Sequence, residues 1–310
     1  MSALATGLTL SAGVVAGLGG LRAWLIRAFR IRDRAPVATP EALGLTAERV
    51  RVRGVRGKSL DTLLFLPHPG RPVVVVVHGW GASASHMLVL VPPVLKAGFN
   101  AVLFDARGHG GSDDDTFASL PRFAEDAEAV LAFLRRRGLG PLVLLGHSVG
   151  AGAVLLCASR DAEVAAVVSL AAFSHPRPIM EAWMAAYRIP RWPFWPVILA
   201  VVQASIGFRF DTIAPVTTAP RVRAPLLLVH GDSDTTVPPW HAEVLARVVP
   251  HARVLRLPEV GHDDPEGFSR HEDEILAWIH EALGGPPGNE VPGEAAPAQP
   301  ALHPDRPPLH

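Results

Sequence analysis

Cysteine is nearly missing from this 310-residue chain: Cys157 stands alone. A single thiol cannot close an intrachain disulfide, and it leaves no cysteine cluster for structural zinc. An excess of either charge is missing too, because 29 basic and 29 acidic residues cancel. Without a basic surplus there is no electrostatic footprint for a phosphate backbone, which argues against nucleic-acid binding. Charged residues are only 19% of the chain and hydrophobic ones 49%, a balance that excludes a disordered or fibrous protein. What abounds is glycine (28) and proline (30), well above the usual combined share of about 12%. The length admits two domains of about 150 residues, or one α/β domain of about 250 residues with tails.

Part of that excess lies at the C-terminus. Residues 284–310 read GGPPGNEVPGEAAPAQPALHPDRPPLH and hold almost no large apolar side chains. Such a stretch cannot offset its ordering entropy, so a disordered Pro-rich tail is predicted. At the other end, Met1 to Leu21 lacks any charge, and Arg22, Arg27, Arg30, Arg32 and Arg34 follow. About 20 uncharged residues are long enough to span a bilayer. The positive residue that opens a secretory signal is absent, since the charge comes after the apolar run. The expectation is a single-pass membrane anchor within residues 1–35, with everything after Arg22 cytoplasmic. Five glycines dilute the run (Gly7, Gly13, Gly17, Gly19, Gly20), and a soluble cytoplasmic chain is the alternative.

Between the ends, strand-like runs occur at Val50–Val55, Thr62–Leu66, Pro72–Val77, Ala101–Phe104, Leu142–Leu145, Val164–Leu170, Pro225–Val229 and Arg253–Leu257. Val73–Val77 is five consecutive valines, the pattern of a parallel strand covered on both faces. Phe123, Ala127, Val130, Leu131 and Leu134 recur at helical spacing, as do Phe268, Ile275, Ile279 and Leu283. Alternating strands and helices predict a mostly parallel eight-stranded sheet over residues 45–283, flanked by helices. The first two runs lack an intervening helix and are expected to form an antiparallel edge hairpin. Residues 174–223 break the alternation and read as a helical cap insertion.

The sharpest chemical signal is Gly146-His147-Ser148-Val149-Gly150, after an apolar strand and before the helical run Ala151–Ser159. Glycines on both sides of such a corner let the chain turn tightly enough to push Ser148 out of the sheet edge. A free hydroxyl is a poor nucleophile and needs a base, which needs a carboxylate to orient it. The Pro225–Val229 strand runs into His230-Gly231-Asp232-Ser233-Asp234, and spacing alone leaves Asp232 and Asp234 as candidates. The last strand leads to Val260-Gly261-His262, which supplies a base in the expected order Ser, Asp, His. Backbone N–H groups of Trp80, in His78-Gly79-Trp80-Gly81, and of Val149 form the expected oxyanion hole.

The ordered set HGWG, DARGHGGS, GHSVG, HGDSDTTVP and GHDD resembles the α/β-hydrolase superfamily, especially bacterial serine hydrolases related to serine aminopeptidases and esterases. The likeness covers about Val50 to Leu283. It implies the α/β-hydrolase fold, Ser148 as nucleophile, Asp234 rather than Asp232 as orienter, and His262 as base, with no metal or organic cofactor. HGWG departs from the HGGG of many lipases, and the bulk of Trp80 is expected to narrow the acyl side.

His78, His109, His147 and His230 sit in Gly-flanked turns and read as packing or turn residues, His147 with its ring on the far side of the corner. Asp113-Asp114-Asp115 lacks regularly spaced partner ligands and reads as a solvated loop rather than a cation site. Arg107-Gly108-His109-Gly110 lacks the Lys-Ser/Thr pair of a phosphate loop. In the cap, Trp183, Trp192, Phe194 and Trp195 either pack the cap onto the body or line an apolar acyl-binding wall. Joined to a membrane anchor, they suggest a lipid-like acyl substrate. The expected activity is ester hydrolysis through an acyl-enzyme. The alternatives are a peptidase or amidase of the serine aminopeptidase type, or a non-catalytic binding module.

Overall fold

The computed structural model describes residues 16–31 and 34–285. The predicted tail therefore lies almost wholly outside the described residues, as do residues 1–15 of the expected anchor. The strands are β1 (Glu48–Arg53), β2 (Ser59–Phe65), β3 (Val73–Val77), β4 (Asn100–Phe104), β5 (Leu142–His147), β6 (Ala166–Leu170), β7 (Leu226–Gly231) and β8 (Arg253–Leu257). The helices are α1 (16–28), α2 (Val91–Lys96), α3 (Leu120–Arg136), α4 (Val149–Ala158), α5 (Pro176–Ala186) and α6 (Phe194–Ile206). They continue as α7 (Phe210–Ile213), α8 (Pro215–Thr218), α9 (Trp240–Val248), α10 (Pro265–Ser269) and α11 (Glu272–Ala282).

One eight-stranded sheet runs in the order β1-β2-β4-β3-β5-β6-β7-β8. β1 pairs antiparallel with β2, and β2 with β4, while the remaining pairs are parallel. The edge hairpin follows from the short link between β1 and β2, too short for a crossover helix. In β3 the valines alternate between layers. Val73, Val75 and Val77 join one core cluster with α3 and α4, and Val74 and Val76 join the other with α2 and α11. Burial on both faces explains why this strand is an unbroken apolar run.

The strand order fixes where chemistry can occur. After β3 the chain steps to β4 on one side, then returns to β5 on the other, so a crevice opens beyond the C-terminal ends of β3 and β5. The register places Val77 opposite Gly146, which brings the loop after β3 beside the corner after β5. Helices α5 to α8 occupy the long connection between β6 and β7 and form the cap. The C-terminal apolar stripe is two helices rather than one: α10 ends at Ser269 and α11 begins at Glu272, yet Phe268, Ile275 and Ile279 are buried in one cluster.

One expectation changes. The Asp113–Asp115 run is not simply solvated, because arginines take each carboxylate. Asp113 pairs with Arg51 at 2.7 Å, Asp114 with Arg30 and Arg34, and Asp115 with Arg122 at 3.1 Å. Among the described residues no helix is long and apolar enough to cross a membrane. Helix α1 packs onto the body, where Leu25 is only 4% exposed.

Behind the loop after β4, Arg107 is fully buried. Its Nε lies 2.7 Å from Asp126 Oδ1, its Nη2 donates to Glu125 at 2.6 Å, and its own N–H donates to Asp126 Oδ2 at 2.8 Å. Removing one partner of such a pair leaves a buried charge uncompensated, at a cost of about 3–5 kcal/mol. Arg107→Met is therefore expected to lower unfolding stability by about that amount, and adding Asp126→Asn should recover part of it. Urea titrations of the two variants check this, and a wild-type midpoint for Arg107→Met would show that the network contributes nothing.

Candidate active site

Ser148 sits at the corner between β5 and α4 with φ 57° and ψ −118°, a backbone conformation that a residue with a side chain adopts only under constraint. The neighbouring glycines make room for so tight a corner. A Cβ on Gly146 would lie 2.3 Å from the Gly150 carbonyl oxygen, and one on Gly150 would lie 2.3 Å from that of Val77. The Ser148 N–H donates to the Leu170 carbonyl at 2.9 Å, tying the corner to β6. The hydroxyl is thereby lifted into the crevice at the sheet edge.

Parallel strands deliver the other groups to the same edge. The Ser148 hydroxyl donates to His262 Nε2 at 3.0 Å, and His262 Nδ1–H donates to Asp234 Oδ2 at 2.7 Å. Asp234 is buried, and its Oδ1 accepts the N–H groups of Thr236 (2.9 Å) and Val237 (2.7 Å). Burial works to raise the Asp234 pKa, but hydrogen bonds from His230, His262 and Val237 outweigh it and hold the carboxyl well below the usual range. Asp232, the other candidate on spacing, is turned outward, where it accepts from Arg256 Nε at 2.7 Å.

The loop after β3 lies against the corner, so close that a Cβ on Gly79 would meet His147 Nδ1 at 3.1 Å and Ser148 Cβ at 3.3 Å. His78 Nδ1–H donates to the Gly79 carbonyl at 2.7 Å, while its Nε2 accepts the Ala106 N–H at 3.0 Å. The Gly79 C=O and the Trp80 N–H belong to one planar trans peptide, so this bond also fixes the direction of the Trp80 N–H. Among the described residues neither the Trp80 N–H nor the Val149 N–H has an acceptor. His109 steadies the next turn by accepting the Gly81 N–H at 3.3 Å.

His147 does not point to the far side of the corner. Its Nε2–H donates to the His262 carbonyl at 2.9 Å, and the two rings lie 5.0 Å apart. His147, His262 and Asp263 bring ligand-type atoms within 4.8 Å of one another. Both His262 nitrogens and His147 Nε2 are already engaged, however, which leaves this cluster too few free donors for a closed metal site.

A cavity of about 510 Å³ reaches Ser148 and His262. Its walls are largely apolar, from the cap (Ile179, Met180, Trp183), from Trp80 and from residues 117–121, and the charged residues lining it are Arg30 and Asp263. Of the four aromatic cap residues, Trp183 lines this cavity. Trp192 is 80% exposed and borders a separate groove with Trp195, whose Nε1–H donates to the Ile189 carbonyl at 2.9 Å. Phe194 is half exposed and also lies off the cavity. Their aromatic composition did not distinguish a wall from an outer face. The contribution that sequence reasoning missed is Leu25, Ile26 and Phe29, whose signal was a helical apolar stripe inside a segment read as the flank of an anchor.

The fold and this arrangement define an α/β-hydrolase. The chain has the α/β-hydrolase fold and is similar to hydrolases of that superfamily. Residues 68–207 match the family described as "Serine aminopeptidase, S33". The chain is 23% identical over 200 residues to the uncharacterized protein YqkD of Bacillus subtilis, covering 63% of this chain and 66% of that one, about two thirds of the relative's length. It is 26% identical over 252 residues to the sn-1-specific diacylglycerol lipase ABHD11 of Mus musculus, covering 66% and 81% of the two chains. The fold is similar to that of the esterase Pf2001 of Pyrococcus furiosus, with a TM-score of 0.62, 19% identity, and coverage of 83% and 98%.

Burial keeps several imidazoles near the site neutral, pushing His78, His147 and His241 down to about 4 and His109 to about 3. Unfolded histidines titrate near 6.5. Between about pH 6.5 and 4 the unfolded chain binds protons that the folded one refuses. Their stabilisation is thus full above about pH 6.5 and is lost as the pH falls toward the folded values. Each such group costs up to about 1.4 kcal/mol per pH unit in that window. Urea midpoints should therefore fall steeply between pH 7.5 and 5, and an unchanged midpoint would contradict the neutral burial of these rings.

Proposed function

We propose that this chain hydrolyses carboxylic esters of apolar, lipid-like acyl groups, with Ser148 as nucleophile, His262 as general base and Asp234 as the group that orients His262. The observation that carries the reading is the unbroken hydrogen-bond relay from Ser148 through His262 to Asp234 at the floor of an apolar cavity.

In this reading the Ser148 oxygen attacks the ester carbonyl as its proton passes to His262 Nε2. The imidazolium is stabilised by the ionised Asp234, whose depressed pKa keeps it charged throughout. Negative charge grows on the former carbonyl oxygen, where the Trp80 and Val149 N–H groups donate, each worth roughly 2.7–4 kcal/mol of transition-state stabilisation. His262 returns its proton to the leaving alkoxide, giving the alcohol and an acyl-Ser148. Water, deprotonated by His262, then attacks the acyl carbon, and collapse releases the carboxylic acid and restores the Ser148 hydroxyl. The scarcity of charged lining residues favours an apolar acyl chain over a peptide, whose charged terminus would need a paired partner in the cavity.

A fluorophosphonate probe should label the wild-type protein at Ser148 and leave Ser148→Ala unlabelled. Asp234→Asn should lower kcat for a p-nitrophenyl ester by about 10⁴-fold, because the imidazole loses the correct tautomer. Esters should be cleaved in preference to aminoacyl amides. Well-folded wild-type protein that resists the probe would favour a binding module on this fold, and a preference for the amides would favour a peptidase.

A further inference from the structure

We propose that the segment ahead of the hydrolase sheet is the outer wall of the acyl cavity, and that Phe29 determines which acyl chains are accepted. The inference rests on the esterase reading above and adds a specificity element that lies outside both the sheet and the cap.

The segment is built into the protein rather than resting on it. Leu21, Leu25 and Phe29 recur every four residues, so they share one side of α1 and its C-terminal turn. Leu25 is buried in the main core cluster, and Leu21 and Phe29 pack against it. The Phe29 ring lies 4.7 Å from that of Trp183 on the cap and 6.1 Å from that of Trp80 on the loop after β3. One side chain therefore joins two walls that originate about 100 residues apart. Leu25, Ile26, Phe29 and Arg30 line the same cavity as Ser148 and His262.

A polar clamp five residues further on holds this wall in register. Arg34 Nε donates to the Gly110 carbonyl at 3.0 Å, Nη2 donates to the His109 carbonyl at 3.2 Å and to that of Ser112, and Nη1 donates to Asp114 Oδ1 at 3.1 Å. Arg30 also pairs with Asp114. The loop receiving these bonds is itself fixed. The Asp105 carboxylate accepts the N–H groups of Ala84 and Gly111, each at 2.7 Å, and Gly110 leaves no room there for a Cβ. A guanidinium held by three carbonyls and a carboxylate of one rigid loop is an anchor point, and Phe29 is the apolar group that it positions.

An acetyl group bound at Ser148 is too short to gain much from a wall at the cavity's outer side, whereas a longer acyl chain buries further methylenes against it. Losing contact with about two methylenes costs roughly tenfold in kcat/KM. The test uses the full chain and compares kcat and KM for p-nitrophenyl acetate and octanoate in wild type, Phe29→Ala, Phe29→Leu and Arg34→Ala. Phe29→Ala should lower the octanoate-to-acetate ratio of kcat/KM about tenfold, mainly through KM for octanoate. Phe29→Leu should restore much of the ratio, and Arg34→Ala should shift it in the same direction as Phe29→Ala. An unchanged ratio in Phe29→Ala, with wild type active on both esters, overturns the role of Phe29. Wild-type protein inert to both esters and to a fluorophosphonate overturns the esterase reading and this inference with it.

Discussion

His262 is gripped at both ring nitrogens and at its backbone carbonyl, and the chemical reading depends on that grip. Asp234 accepts its Nδ1–H, Ser148 donates to its Nε2, and His147 holds the carbonyl of its own backbone. Each of those partners is secured in turn. Two N–H groups and the buried ring of His230 surround Asp234, the missing Cβ atoms at Gly146 and Gly150 permit the tight corner at Ser148, and burial keeps His147 neutral. The energetic outlay lies in the scaffold, in one strained serine and several desolvated polar groups, so that little reorganisation remains when a substrate binds.

Parallel topology is what makes such convergence possible. Strands β3, β5, β7 and β8 all end at one edge, so four loops distant in sequence meet there without long excursions. The reversal between β4 and β5 opens the crevice into which the corner at Ser148 projects. The buried pair of Arg107 and Asp126 and the arginine-paired aspartates fasten the loop after β4 that forms one rim of this crevice. Stability and site geometry therefore share the same residues on that side of the molecule.

Much of this was legible in the sequence because the signals are local. The five valines of β3, the alternation of strand and helix, and the glycine-flanked serine each reflect steric or burial rules that operate within a few residues. The positions of Ser148, Asp234 and His262 at the ends of strands were legible for the same reason. Long-range geometry was not. Choosing between Asp232 and Asp234 required resemblance, because only the fold reveals that Arg256 draws Asp232 outward. The outward turn of Trp192 and Phe194, the reach of His147 to a carbonyl 115 residues away, and the return of Leu25 and Phe29 to the cavity depend on tertiary packing. An apolar run followed by arginines carries the same local pattern whether those arginines face lipid headgroups or the carbonyls of a rigid loop.

The most direct test of the central claim is a crystal structure of the protein after reaction with an alkyl phosphonate. The account predicts phosphorus bonded to Ser148 Oγ, one phosphoryl oxygen about 3 Å from the N–H groups of both Trp80 and Val149, and the alkyl chain lying along the apolar cavity toward Phe29. Phosphorus on another residue, or a phosphoryl oxygen turned away from both N–H groups, would contradict it.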